Sequence, residues 1–115
     1  MAEQSSEVIV VATFTALAGK EEDGARFLSQ IVAPSHDNAD CLLLALHRDF
    51  DNAGRFTFIE RWVSRERLEA SYETEEFKEF INGSLAYFDG PPAITLNEAL
   101  PYGEQSKGSL AGASL

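Results

Sequence analysis

Eight side chains in this 115-residue chain have types and spacings suited to proton transfer near an aromatic ring. His47 is a candidate base because its ordinary titration range spans neutral pH. Glu60 is a second candidate base: it falls in the run Phe56-Thr57-Phe58-Ile59-Glu60-Arg61-Trp62, where burial would raise its pKa. Trp62 is the only tryptophan, and it offers a ring-stacking wall on the same strand face as Glu60 and Phe58. Tyr72 and Tyr87 are candidate donors to a substrate oxygen, and Arg61, like Arg48, is a candidate partner for an anion. Base, apolar pocket and donor are what a reaction needs when it removes a proton and builds negative charge on oxygen. Each residue also has a purely structural reading. His47 suits a hydrogen bond within a sheet, Trp62 and the tyrosines suit packing, and Glu60 and the arginines suit ion pairs.

Positioning these groups falls to a short series of elements. Val8 to Leu17 is β-branched and apolar and reads as a first strand. After the turn Ala18-Gly19-Lys20, three acids open a helix predicted over 20–33, with Phe27, Leu28, Ile31 and Val32 at helical spacing and Pro34 at its end. Cys41 to Phe50 is a second strand, and Asp51-Asn52-Ala53-Gly54 turns it into a third at Arg55 to Trp62. Ser64 and Thr74 are predicted N-caps of two further helices, the second ended by Gly90-Pro91-Pro92. Ala93 to Leu100 alternates as a fourth strand. The order β-α-β-β-α(α)-β predicts an α+β, ferredoxin-like split βαβ with a four-stranded antiparallel sheet and helices on one face. Both faces of the third strand carry bulk, so the open sheet face calls for a second cover, and a homodimer joined sheet to sheet supplies it.

Composition narrows the partners. A formal charge of −10 argues against nucleic acid and anionic membrane surfaces, both of which bind clustered Lys and Arg. There is no long apolar span and no export signal, so the expected location is cytoplasmic. The single cysteine, Cys41, rules out an internal disulfide framework and reads as a small buried hydrophobe. Two histidines without clustered ligand spacing predict no metal site.

Gly19-Lys20-Glu21, Leu46-His47-Arg48-Asp49, Gly54 to Trp62, Leu68 and Phe77, taken in order, resemble the antibiotic biosynthesis monooxygenase (ABM) domain, in its small quinol monooxygenase-like branch. The resemblance covers about residues 7–100. It implies a dimeric α+β barrel and, in some members, oxidation of hydroquinones and electron-rich phenols by O₂ without a cofactor. One position departs from the pattern. Relatives usually carry a histidine nine residues after the tryptophan, and here that position is Ser71. The departure disfavours haem degradation and leaves open a non-catalytic, ligand-binding dimer.

Residues 1–6 read as a frayed start, and after Leu100 the composition shifts to a linker over 101–107. The end, Gly108-Ser109-Leu110-Ala111-Gly112-Ala113-Ser114-Leu115, resembles the targeting peptides of encapsulin cargo proteins. That resemblance implies Gly108, Ser109, Leu110, Ser114 and Leu115 as contacts to a shell protein and location inside an encapsulin nanocompartment. The alternative is an ordinary disordered terminus.

Overall fold

A computed structural model describes residues 7–110. The elements are β1 (Val8–Thr15), α1 (Glu21–Ser29), α2 (Val32–His36), β2 (Cys41–Arg48), β3 (Arg55–Trp62), α3 (Arg65–Tyr72), α4 (Glu75–Ser84), β4 (Ala93–Asn97) and α5 (Gln105–Gly108). The strands form one antiparallel sheet in the order β2-β3-β1-β4, the α+β ferredoxin-like arrangement expected from the element order.

Strand alternation divides the sheet into two faces. Val8, Val10, Ala12 and Phe14 of β1 and Phe56, Phe58 and Trp62 of β3 are buried under the helices. Leu28 of α1, Leu68 of α3 and Phe88 complete that core. The other face has Ile9, Val11 and Thr13 beside Arg61, Ile59 and Thr57, all half-buried and with no helix above them.

Both predicted caps are present. Ser64 Oγ accepts from Arg67 N at 3.1 Å, and Thr74 Oγ1 accepts from Phe77 N at 3.2 Å, each satisfying an N–H left over by the first helical turn. Gly24 lets α1 lie close against the ring of Phe88, in the segment after α4. A Cβ there would meet Phe88 Cζ at 2.8 Å, and Phe88 is fully packed.

The first predicted helix is two. α1 ends at Ser29, its chain tightens through Gln30 N→Phe27 O and Ile31 N→Leu28 O, and α2 starts afresh at Val32. Pro34 is the cause: in a continuous helix its ring would collide with the Gln30 carbonyl, whereas in the first turn of α2 its missing N–H costs nothing. β4 also stops early, at Asn97, whose side-chain amide donates to Ile9 O at 3.2 Å and closes the ladder, leaving Leu100 exposed.

Candidate active site

Between the covered sheet face and the helices lies a cavity of about 400 Å³. The strands floor it with Phe14, Leu44, Phe58, Glu60, Trp62 and Ile94. α3 contributes Ser71 and Tyr72; α4 contributes Glu76, Phe77, Phe80 and Ile81; and the corner that Pro34 makes between α1 and α2 closes one side with Gln30, Ile31 and Ser35. The volume suits a single aromatic ring with small substituents, within the range of about 300–1,000 Å³ usual for ligand sites.

Glu60 is the one carboxyl among the described residues that the strands bring to the cavity floor. It stands two residues before Trp62 on the same face of β3, and the Trp62 indole Nε1 donates to its Oε1 at 2.8 Å. Burial pushes the carboxyl above its ordinary pKa, and the indole hydrogen bond pulls it partly back. Among the described residues no hydrogen bond reaches Oε2. Tyr72, across the cavity on α3, stacks on Phe77 with ring centroids 4.7 Å apart. Its phenol is pushed up to about 12, first by burial and then by the charges of Glu60 and Glu69, so it stays protonated at neutral pH. The cavity therefore pairs a carboxyl moved toward neutrality with a phenol that keeps its proton, a candidate base and a candidate donor in one pocket. None of the described lining residues is Lys, Arg or His.

Four of the residues singled out in the sequence meet in this cavity: Phe58, Glu60, Trp62 and Tyr72. The others do not. His47 is exposed on the opposite sheet face, with Nδ1 3.3 Å from Thr57 O. The reason is a bulge. Cys41 pairs with Trp62 but Leu43 pairs with Arg61, so Leu42 is an extra residue that inverts the alternation of β2. Without it, His47 would share Cys41's face and point toward the cavity. Arg61 is on the open face as well, gripping Glu7 through Nε and Nη2 at 2.9 and 3.1 Å. Tyr87 packs on Phe27 at 5.1 Å, outside the cavity. Ser71 does line it, yet its Oγ donates to Leu68 O at 2.6 Å. Pro34 is the sequence signal for the α1–α2 corner, and the helical spacing of Phe77, Phe80 and Ile81 does not by itself separate cavity lining from core.

The structure of PA3566 from Pseudomonas aeruginosa superimposes with a TM-score of 0.75 at 34% identity, over 84% of this chain and 96% of that one. A family model described as antibiotic biosynthesis monooxygenase matches residues 7–83, which include the whole covered face of β3. The chain belongs to this family. A structure described as an antibiotic biosynthesis monooxygenase (23% identity, 82% and 99% coverage, TM-score 0.74) and Rv0793 from Mycobacterium tuberculosis (22% identity, 88% and 100% coverage, TM-score 0.74) share the ABM fold. No curated protein matches the chain.

Of the tail residues, Gly108 ends the short α5, where a Cβ would collide with Tyr102 O, and Ser109 and Leu110 follow it. Ser114 and Leu115, the other residues of the targeting pattern, lie outside the described residues, as do 1–6.

The raised Glu60 carboxyl has a consequence for stability. A group whose folded pKa exceeds its unfolded value contributes stability below the unfolded pKa, and this is lost as pH rises through the folded pKa. Glu60→Gln keeps an acceptor for Trp62 and removes the buried charge. Thermal melts should put the variant a few degrees above wild type at pH 8, a gap of about 1 kcal/mol, and level with it near pH 4. A variant less stable at pH 8 would mean that the carboxylate is not a burden on the fold.

Proposed function

We propose that this ABM protein is a monooxygenase that oxidises a hydroquinone or similar electron-rich phenol with O₂, without a cofactor. The observation that carries the reading is Glu60 Oε2, which accepts no hydrogen bond among the described residues, in an aromatic cavity that also holds the protonated Tyr72. Glu60 takes a phenolic proton as general base. Tyr72 donates to the resulting oxyanion, and Trp62 and Phe58 hold the ring. The phenolate passes an electron to O₂, the radical pair combines at a ring carbon, and the peroxide loses water to leave a hydroxyquinone. One oxygen atom enters the ring, the other leaves in water, and the hydroquinone supplies all four electrons. With two glutamates and no cation among the described lining residues, the cavity favours an uncharged ring over a carboxylated one.

The competing reading is a ligand-binding dimer without turnover, motivated by Ser71 where relatives usually carry histidine. Oxygen uptake across a panel of hydroquinones distinguishes the two. Turnover by wild type should fall at least about a hundredfold in Glu60→Gln and about tenfold in Tyr72→Phe. His47→Ala should stay near wild type, since His47 is outside the cavity. No uptake above buffer for any member of the panel supports the ligand-binding reading instead.

The working unit in this proposal is a homodimer. Ile9, Val11, Leu43, Ala45 and Ile59 make an apolar open sheet face around the Glu7–Arg61 pair, and a second copy of the sheet covers it. Light scattering after gel filtration should give a dimer for wild type and a monomer for Ile59→Glu; a monomeric wild type overturns the pairing.

The tail adds a location, the interior of an encapsulin shell. Leu110 and Leu115, five residues apart, are the anchors, each contributing about 1.5–3 kcal/mol on full burial. Ordering the peptide offsets much of this, so retention relies on the two tails of a dimer. Deleting 108–115 should abolish co-purification with a co-expressed shell, and equal loading by the truncated protein refutes the assignment.

A further inference from the structure

We propose that Trp62 is a positioning residue for Glu60: its indole N–H holds Oε1 so that Oε2 alone meets the substrate. The inference rests on Glu60 being the base of the proposed reaction and adds what keeps that base in place.

The argument begins with rigidity. Trp62 is 6% exposed, and β3 is a central strand, with Trp62 paired to Val8 on one side and Cys41 on the other. Its indole is therefore a fixed reference. Glu60 lies across from Val10 and Leu44, neither of which offers a side-chain hydrogen bond, so the carboxyl has one polar anchor on the sheet, the 2.8 Å bond from Nε1. An indole has a single donor and no acceptor. It can satisfy one carboxylate oxygen and cannot compete for the proton that Glu60 takes up. The spacing i, i+2 is also the only sequential spacing that sets two side chains side by side on one strand face. The motif Glu-Arg-Trp thus builds an oriented carboxylate from local geometry alone, with Arg61 turned to the other face and spent on Glu7.

The hydrogen bond favours the ionised carboxylate, against the burial that disfavours it. Losing it should raise the pKa of Glu60 and move the acid limb of the rate profile to higher pH. Other titrating groups stand near the same carboxyl: Cys41 on β2 and Tyr72 on α3, each of which feels the charge of Glu60, and Glu76 on the α4 wall, while Glu69 acts on Tyr72 and is itself exposed and paired with Arg65. The Cys41 thiol is pushed up by burial and then by Glu60, and Tyr72 reaches about 12, so neither titrates below pH 8. Glu69 and Glu76 are separated from Glu60 by substitution.

As the only tryptophan, Trp62 gives a single indole N–H resonance, a reporter that needs no turnover. In wild type, ¹⁵N–¹H spectra from pH 4 to 8 should show that resonance moving along one titration curve, and Glu60→Gln should flatten the curve. In Trp62→Phe, ¹³C titration of the Glu60 carboxyl should give a pKa about one to two units higher, the loss expected for one hydrogen bond to a charged group. An indole signal that does not move with pH, or that titrates unchanged in Glu60→Gln, overturns the proposal even if the enzyme consumes O₂. A titrating indole in a protein with no oxygen uptake leaves the positioning intact and removes the proposed reaction instead. With active enzyme, the acid limb of kcat/KM in Trp62→Phe should shift upward by the same one to two units, about; a lower rate with an unshifted limb marks a packing role only.

Discussion

A carboxyl group on the covered face of a central strand is the constraint from which the rest of this structure follows. Glu60 occupies a position where alternation demands an apolar side chain, between Phe58 and Trp62 and under two helices. Burying a carboxylate without partners is costly, and the fold meets the cost in two ways. The carboxyl moves toward its neutral form, and the neighbouring indole supplies one hydrogen bond. A third way, full packing around the group, is absent: the helices stand off from the sheet here and leave a cavity of about 400 Å³. A domain selected for stability alone would fill that space. The arrangement has the character of a site that gives up some stability to keep a reactive group poised.

The same placement organises the electrostatics across the cavity. Glu60 and Glu69 both raise the Tyr72 phenol, and Glu60 also raises the Cys41 thiol. For both neighbours burial is the larger cause, and the Glu60 charge adds to it. The donors that remain are neutral, and the walls are aromatic. In the proposed reaction such a pocket would stabilise the developing oxyanion through a hydrogen bond and make no ion pair with a substrate carboxylate. The Arg61–Glu7 pair, which a reading of the motif alone would place at the substrate, belongs to the opposite sheet face and to whatever covers it.

Much of this was legible in the sequence. The alternation of Phe56, Phe58, Glu60 and Trp62 identified the covered face of β3, and Ser64 and Thr74 marked two helix starts, because these signals are local. Membership of the ABM family was legible because several short matches, from Gly19-Lys20-Glu21 through Gly54 to Trp62 and on to Phe77, fall in consistent order along the chain. What could not be read was parity on β2. A single extra residue, Leu42, turns His47 away from the cavity, and nothing in Cys41-Leu42-Leu43-Leu44 distinguishes a bulge from a regular strand. The corner at Gln30 was half legible: Pro34 signalled an end to α1, but the restart as α2 depends on packing against β2, where His36 Nε2 lies 2.9 Å from Leu44 O. Tyr72 was picked out for its chemistry, and only the packing of α3 and α4 decides that it and not Tyr87 reaches the cavity.

The central claim is that chemistry belongs to the covered face, around Glu60, and not to the open face that carries His47. A crystal structure with an unreactive ring, 1,4-dimethoxybenzene, tests it most directly. The account predicts the ring against Trp62 and Phe58, with one ether oxygen within hydrogen-bond distance of Tyr72 Oη. A ring seated on the open sheet face beside His47, with the cavity at Glu60 left unfilled, would contradict it.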